Sequence, residues 1–437
     1  MACYQFPHQQ INAFWRTLHF SGKNLSAKQR VCSKLVARGY VSRTYSSSTL
    51  FKKDLGKVGS RLSAVSSSSI STSAEAANTV SQDSRFASSI RKDESANISS
   101  SNGRVMLIDG TSIIYRSYYK LLAKLHHGHL THADGNGDWV LTIFTALSLI
   151  IDVLEFIPSH VAVVFDHDGV PYGPAPLSSS KQSFVAKGMN FRHTMYPAYK
   201  SNRPPTPDTI VQGLQYLKAS IKAMSIKVIE VPGVEADDVI GTLAVKSVDA
   251  GFKVRVVSPD KDFFQILSPS LRLLRIAPRG FEMTSFGLED FAEKYGTLKP
   301  SQFVDVISLV GDKSDNIPGV DGIGHVHAVQ LITKFGSLEN LLQCVDQVDE
   351  ERIKKMLISN ADQAILSKNL AMLRSDLPLY MVPFSTQDLV FTKPKDDGEK
   401  FTSLLKAISA YAEGFSADTI IRRALYLWKK LQSQQSQ

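Results

Sequence analysis

The chain has 437 residues, of which 43% are hydrophobic and 21% charged, and its formal net charge is +9. This length leaves room for about three domains, and the apolar content is sufficient for a sizeable core. The sequence has no apolar run of about 18 residues, which excludes a membrane-spanning helix, and its three scattered cysteines exclude a disulfide framework.

The excess positive charge lies entirely in residues 1–101, which hold 14 Lys and Arg residues and five Asp and Glu residues. The rest of the chain holds 36 basic and 36 acidic residues, so its charges balance. Residues 1–45 contain no acid, and their basic residues alternate with apolar ones, which is typical of an organelle transit peptide. We expect import into mitochondria, or into mitochondria and plastids, and no membrane association afterwards. The alternative is a basic arm that binds nucleic acid. The Ser-rich residues 46–101 are predicted to be a disordered linker.

From residue 104 onwards, short β-branched strands alternate with helical segments at about 139–156, 208–224 and 236–249. This alternation predicts an α/β fold with a doubly wound, mostly parallel sheet. Three of the strands end near an aspartate, namely Asp109, Asp166 and Asp260. Ligands of such sheets bind at the carboxyl ends of the strands, so the three carboxylates are expected to share a site there.

Further acids occur in tight groups: Glu235, Asp237 and Asp238 at a helix start, Asp262 after a strand, and Asp312 and Asp315 after an apolar helix. If all nine carboxylates converge, charges 4 Å apart repel by about 1 kcal/mol in water and about 4 kcal/mol at an effective dielectric near 20. The cluster therefore requires cations. Oxygen ligands favour two Mg²⁺ ions, for which Mn²⁺ can substitute, and such a pair suits phosphodiester hydrolysis.

These groups, together with Tyr199-Lys200-Ser201-Asn202-Arg203 and Gly311-Asp312-Lys313-Ser314-Asp315-Asn316, resemble the motifs of the 5′–3′ exonuclease family. The family includes the 5′ nuclease domain of bacterial DNA polymerase I, the phage 5′ nucleases and the flap endonucleases, and an organellar member of the plant type is expected. The resemblance implies a PIN-like nuclease fold with one metal held by Asp109, Asp166, Glu235, Asp237 and Asp238. It implies a second metal held by Asp260, Asp262, Asp312 and Asp315.

A basic stretch without acids spans residues 169–207, and aromatic residues are interleaved with its cations. Such a mixture can bind single-stranded nucleic acid, although a solvated basic loop is the alternative. Lys181, Lys187 and Arg192 are expected to bind DNA. The resemblance implies contacts of Lys200 and Arg203 with the scissile phosphate and of Tyr199 with the terminal nucleotide. It also implies phosphate contacts for Arg116 and Lys261. An insertion at 170–190 departs from the family pattern.

A glycine-rich hairpin at residues 317–328 precedes a helix and resembles the helix–hairpin–helix of the same family. Glycines permit close backbone approach, so Gly319, Gly322 and Gly324 are expected to bind the phosphates of duplex DNA. The resemblance implies K⁺ in the hairpin, while His325 and His327 depart from the common sequence.

The expected domains are a catalytic domain at 102–298, a helical DNA-binding module at 299–385 and a helical extension of unknown role at 386–437. We expect a monomeric, metal-dependent 5′–3′ exonuclease or flap endonuclease that serves organelle DNA replication, repair or recombination. The alternatives are a catalytically silent protein that binds branched DNA and a ribonuclease on a related fold.

Overall fold

The computed structural model describes residues 103–126, 137–167, 190–277, 282–412 and 415–435. The predicted transit peptide, the linker, Lys181 and Lys187 lie outside these residues. Six strands form one sheet in the order β3-β2-β1-β4-β5-β6, in which only β6 is antiparallel to its neighbour. The strands are β1 (Arg104–Asp109), β2 (His160–Val164), β3 (Lys227–Ile229), β4 (Lys253–Val257), β5 (Leu271–Ile276) and β6 (Met283–Phe286).

The central strand β1 pairs with β2 on one side and β4 on the other, with Leu107 opposite Ala162 and Val256. The helices of this domain are α1 (Gly110–His126), α2 (Asp138–Leu154), α3 (Phe191–Met195), α4 (Asp208–Ala223) and α5 (Ala236–Asp249), followed by a 3₁₀ turn at Asp262–Ile266. The predicted mostly parallel, doubly wound sheet is confirmed.

Successive side chains of a strand point to opposite faces of the sheet, and helices cover both faces here. Val105 and Leu107 belong to a hydrophobic cluster with α5, whereas Met106 and Ile108 belong to a second cluster with α2 and α4. This burial explains why β1 has no polar residue between Arg104 and Asp109.

Helix α6 (Leu288–Tyr295) follows β6, and a helical module then begins, with α7 (Phe303–Val310), α8 (His325–Phe335), α9 (Leu338–Gln343), α10 (Glu351–Ser359) and α11 (Ala361–Ala371). Short 3₁₀ turns lie at Pro300–Gln302, Val345–Gln347 and Thr386–Leu389. Phe303, Leu309 and Ile332 of the module lie in the same hydrophobic cluster as Val105 and Leu107 of β1. The module is therefore joined to the sheet through a continuous core.

The last two helices, α12 (Glu399–Ser409) and α13 (Asp418–Gln435), pack on the second face of the sheet domain. Trp428 is fully buried there, with its ring 5.7 Å from that of Phe401. The Arg423 guanidinium donates to Asp152 and, at 2.8 Å, to Glu155, both on or next to α2. The extension at 386–437, whose role the sequence left open, thus supplies part of the core. None of the described helices is long and apolar enough to cross a membrane.

Candidate active site

The carboxyl edge of the sheet brings together acids from β1, β2 and β4. Asp109, the last residue of β1, is 5% exposed and accepts hydrogen bonds from the Ser112 N–H and the Ser258 hydroxyl, both at 2.9 Å. Burial raises the pKa of Asp109 to about 6, with a further contribution from the nearby charge of Asp166. Asp109 therefore binds a proton far more readily than a solvated carboxylate does.

Asp166, two residues beyond β2, lies against the start of α5. Its backbone N–H donates to the Thr111 hydroxyl, and its Oδ1 accepts from the Ala236 N–H, each at 2.9 Å. Ala236 is the first residue of α5, where the helix dipole favours negative charge. Asp166 is thus held beside the first turn of α5, which carries Asp237.

Asp237, in the first turn of α5, is surrounded by other acids. Burial, followed by repulsion from Asp260, Asp109 and Asp166, raises its pKa well above the ordinary value. Asp237 therefore lies near Asp109, Asp166 and Asp260, the three acids that the strand pattern placed at this edge of the sheet.

A second group of acids adjoins the first. Asp260 Oδ1 accepts the Asp262 N–H at 2.9 Å, and Asp312 Oδ1 accepts the Ser314 N–H at 2.7 Å. Burial raises the pKa of Asp262 well above its ordinary value, and repulsion from Asp260, Asp315 and Asp312 adds to it. Partly buried carboxylates that repel one another in this way either take up a proton or bind a compensating positive charge.

A hard divalent cation fits the chemistry of these donors, which are all carboxylate oxygens. Within the described residues, no three Asp, Glu, His or Cys side chains converge closely enough to hold an ion in their present positions. An ion would therefore have to draw the carboxylates together, and it would relieve the repulsion that raises their pKa values.

Lys200 and Arg203 supply positive charge at the rim of this acidic cluster. Lys200 Nζ lies 2.8 Å from Glu235 Oε1 and 3.7 Å from Asp315 Oδ2, while the Arg203 guanidinium pairs with Asp315. Burial would lower the pKa of Lys200, but Glu235 and Asp315 raise it well above the ordinary value. Burial would likewise raise the pKa of Glu235, but Lys200 and Arg192 lower it to about 2.

The backbone of Lys200 is held in the left-handed region, with φ of 55°, and its N–H donates to the Asp315 carbonyl at 2.9 Å. For a residue other than glycine this conformation costs about 1–3 kcal/mol, and it persists only where the surroundings impose it. The Arg203 side chain is 41% exposed. The two cations predicted to contact phosphate are therefore fixed at the opening of the cluster.

Tyr199 and Arg192 lie deeper than the sequence predicted. Tyr199 is 3% exposed, with its hydroxyl 3.2 Å from Glu235 Oε2, so its ring is covered where a nucleotide contact was expected. Arg192 is also 3% exposed and forms a bidentate ion pair with Asp238 at 2.6 and 2.9 Å. The prediction that Arg192 binds DNA is wrong for this structure, because its guanidinium is enclosed by protein.

Arg116 of α1 lines a small pocket beside Asp109, together with Ser112 and Ser258. Its guanidinium donates to the Ala277 carbonyl, and its Nε is buried without a hydrogen-bond partner among the described residues. Burial lowers the pKa of Arg116. Lys261, between Asp260 and Asp262, precedes the 3₁₀ turn. Both predicted phosphate contacts thus adjoin the acidic cluster.

The three hairpin glycines differ in their surroundings. Gly319 has φ of 68°, its N–H donates to the Ser367 hydroxyl at 3.1 Å, and a Cβ there would meet Gly311 N at 2.4 Å. The Gly319 backbone thus contacts other parts of the protein, which does not support the predicted contact of Gly319 with DNA. Gly322, with φ of 81°, and Gly324, which precedes α8, are both exposed. Only these two remain accessible for a phosphate.

Two polar residues of the site escaped the sequence analysis. Asn190 donates to Glu235 Oε1 at 2.7 Å while its own Oδ1 caps α3, and Ser258 donates to Asp109. The position of Ser258 directly after β4 was the signal that could have placed it at the sheet edge. Asn190 offered only the capping preference of its residue type.

Comparisons with known proteins place two successive domains on the chain. Residues 180–296 match the family model described as 5′–3′ exonuclease, N-terminal resolvase-like domain, and residues 298–397 match the one described as 5′–3′ exonuclease, C-terminal SAM fold. Asp109 and Asp166 precede the first match, and α12 and α13 follow the second.

Among curated proteins, DNA polymerase I of Bacillus caldotenax is 34% identical over 306 residues, which are 70% of this chain and 31% of the polymerase. The thermostable DNA polymerase I of Thermus thermophilus is 38% identical over 277 residues, 63% of this chain and 29% of the polymerase. The chain thus spans about a third of the length of these relatives.

Solved structures that align with this chain include the bacteriophage T5 5′-exonuclease with bound zinc, at 20% identity and a TM-score of 0.47, covering 71% of this chain and all of that one. The catalytic core of Rad2 in complex with a DNA substrate is 16% identical with a TM-score of 0.46, covering 75% of this chain and 92% of that one.

Proposed function

Because the chain belongs to the 5′–3′ exonuclease family, we propose that it hydrolyses phosphodiester bonds at the 5′ ends and 5′ flaps of DNA, with Mg²⁺ as its cofactor. The observation that carries this proposal is the mutual repulsion of the partly buried Asp237, Asp260 and Asp262 beside two cations, the partly buried Lys200 and the exposed Arg203. Carboxylates with unmet charge would take up metal, and the adjacent cations would take up phosphate.

Asp109, Asp166 and Asp237 would hold one ion, with Glu235 beside them, and Asp260, Asp262, Asp312 and Asp315 would hold the other. When bound, such ions supply Lewis acidity that activates water and stabilises the leaving oxygen, and Mn²⁺ could replace Mg²⁺. The pairing of Lys200 with Glu235 and of Arg203 with Asp315 keeps both cations in place before substrate arrives.

The chain's own cations would orient the scissile phosphate. Lys200 and Arg203 would bind its non-bridging oxygens and stabilise the charge that develops there, assisted by Arg116 from its buried position. The exposed Gly322 and Gly324 would contact the phosphate backbone of a downstream duplex, and this binding would not depend on DNA sequence. The hairpin would also bind K⁺. We propose that the protein acts as a monomer.

The test is cleavage of a labelled 5′-flap DNA and of the matching RNA, each with Mg²⁺ or with EDTA. We expect Mg²⁺-dependent cutting of DNA that Asp237→Asn abolishes, with DNA binding retained or tightened because one negative charge is removed. Glu293→Gln, which removes one charge from an exposed acid of α6, is the matched control and should cut normally. Binding without cutting would indicate a silent DNA-binding protein, and preferential cutting of the RNA would indicate a ribonuclease.

We also propose that residues 1–45 direct the protein to mitochondria, where it would act in DNA replication, repair or recombination. The support is the absence of acids from a segment rich in Arg, Lys and apolar residues. Fused to a fluorescent protein, residues 1–45 should enter mitochondria, with or without plastids, and be cleaved near Tyr45. A diffuse cytosolic or nuclear signal would instead support a nucleic-acid-binding arm.

A further inference from the structure

Arg192 has every donor of its guanidinium engaged inside the protein. Nη1 donates to Asp238 at 2.6 Å and to Glu235 at 3.2 Å, and Nη2 donates to Asp238 at 2.9 Å. Nε and Nη2 also donate to the carbonyls of Leu370 and Met372, at 3.0 and 2.8 Å. An arginine has five N–H groups, so no donor remains for a phosphate.

Asp238 is committed to the same contacts. It is 2% exposed, and besides the two bonds from Arg192 its Oδ1 accepts the Arg374 N–H at 2.9 Å. Three of the roughly four lone pairs of the carboxylate are therefore used within the protein. The neighbouring Asp237 differs, because its perturbation arises from burial and from other acids.

The pair joins three parts of the chain. Arg192 lies in α3, at the start of the described part of the basic stretch, Asp238 lies in the first turn of α5, and Leu370 belongs to the last turn of α11. Leu370 and Met372 follow Arg192 by 178 and 180 residues, so one side chain links the sheet domain to the helical module. Its bond to Glu235 continues to Lys200, which shares that carboxylate.

We propose that Asp238 is not a metal ligand, and that with Arg192 it forms a clamp that positions Glu235 and Lys200 relative to the helical module. A bidentate arginine–carboxylate pair fixes direction as well as distance, which a lysine cannot reproduce. The clamp therefore determines where Lys200 stands when phosphate arrives. This role in the reaction rests on the proposed nuclease function, whereas the statement about metal does not.

The experiment compares full-length Asp238→Asn, Arg192→Lys and the double variant with Asp237→Asn. Mn²⁺ binding is measured by electron paramagnetic resonance without DNA. Single-turnover cleavage of a flap DNA is measured at saturating Mg²⁺ and at a temperature well below each variant's unfolding midpoint. We expect Asp238→Asn and Arg192→Lys to bind Mn²⁺ within about threefold of the unmodified chain, whereas Asp237→Asn should bind at least about tenfold more weakly. Each clamp variant should cut about tenfold more slowly, with flap affinity within about threefold.

The double variant should be slowed no further than the slower single variant, because both changes break one pair. Loss of Mn²⁺ by Asp238→Asn but not by Arg192→Lys would identify Asp238 as a ligand and overturn the proposal. Unchanged cleavage per folded molecule, or losses that multiply in the double variant, would overturn the positioning role. If Asp238→Asn does not fold, Arg192→Gln combined with Asp238→Asn leaves a neutral hydrogen-bonding pair for the same comparison. If the unmodified chain cuts no DNA, the nuclease proposal fails while Mn²⁺ binding still decides the role of Asp238.

Discussion

Removal of divalent metal should make the protein more stable in mild acid than at neutral pH, and Asp109 provides the clearest measure of this effect. Its carboxyl is 5% exposed, and burial, with some contribution from Asp166, raises its pKa from 3.8 to about 6. The folded state thus binds the proton more tightly than the unfolded state does. This contribution is fully present below about pH 3.8, falls as pH rises, and is lost above about pH 6.

The size of the effect follows from the shift. Each pKa unit corresponds to about 1.4 kcal/mol, so a shift of about two units costs the metal-free protein about 3 kcal/mol at neutral pH. Integration of proton binding between about pH 4.5 and pH 7.5 assigns about 2 kcal/mol of this cost to that interval, since part is already incurred below it.

The assay is urea unfolding in EDTA at about pH 4.5 and pH 7.5, for the unmodified chain and for Asp109→Asn. The variant keeps an acceptor for the Ser112 N–H but cannot ionise, and other titrating groups are common to both proteins. The free energy of unfolding of the unmodified chain, relative to that of the variant, should fall by about 2 kcal/mol as pH rises. Saturating Mg²⁺ should remove this difference. An Asp109→Asn variant with the same pH dependence as the unmodified chain would refute the reasoning.

Replacing Lys200 and Arg203 together with Ala should lower the single-turnover rate on flap DNA by at least about 100-fold while affinity changes by less than about tenfold; an equal loss in both would contradict a role in the transition state. Gly322→Val should weaken binding to duplex-containing DNA but not to a short single strand, because its φ of 81° disfavours a Cβ. Gly296→Val, at φ of 67° with no neighbour within 4 Å, controls for backbone strain alone and should bind normally. Trp428→Ala should lower the free energy of unfolding by about 3–5 kcal/mol in urea; a loss below about 1 kcal/mol would mean that α13 contributes little to the core.

The sheet and its acidic edge were predictable because their signals are local. An apolar strand that ends in a carboxylate occurs three times, and the observed helices Asp208–Ala223 and Ala236–Asp249 agree with the predicted segments within one residue. Parallel strands then bring Asp109 and Asp166 together by geometry alone.

The role of Arg192 could not be predicted because its partners are distant in sequence. A cation in a basic stretch is expected to face solvent, and nothing near Arg192 indicates that Asp238, 46 residues away, and the Leu370 carbonyl, 178 residues away, enclose it. The hairpin presents a similar limit: Gly319 and Gly322 both have positive φ, but only the packing against Gly311 distinguishes them. An amphipathic pattern likewise identifies the buried side of α13 but not the surface that covers it.

The return of α12 and α13 to the sheet domain has a consequence for how the chain acquires its structure. Arg423 contacts Asp152 across 271 residues, so the apolar side of α2 is covered by residues that leave the ribosome long after α2 itself does. Contacts of such long range form late and slowly. Until then, α2 and α4 expose apolar surface that chaperones can recognise, and a nascent chain halted after residue 397 would lack its final cover. Synthesis must therefore proceed through α13 before completion of a core whose first strand begins at Arg104.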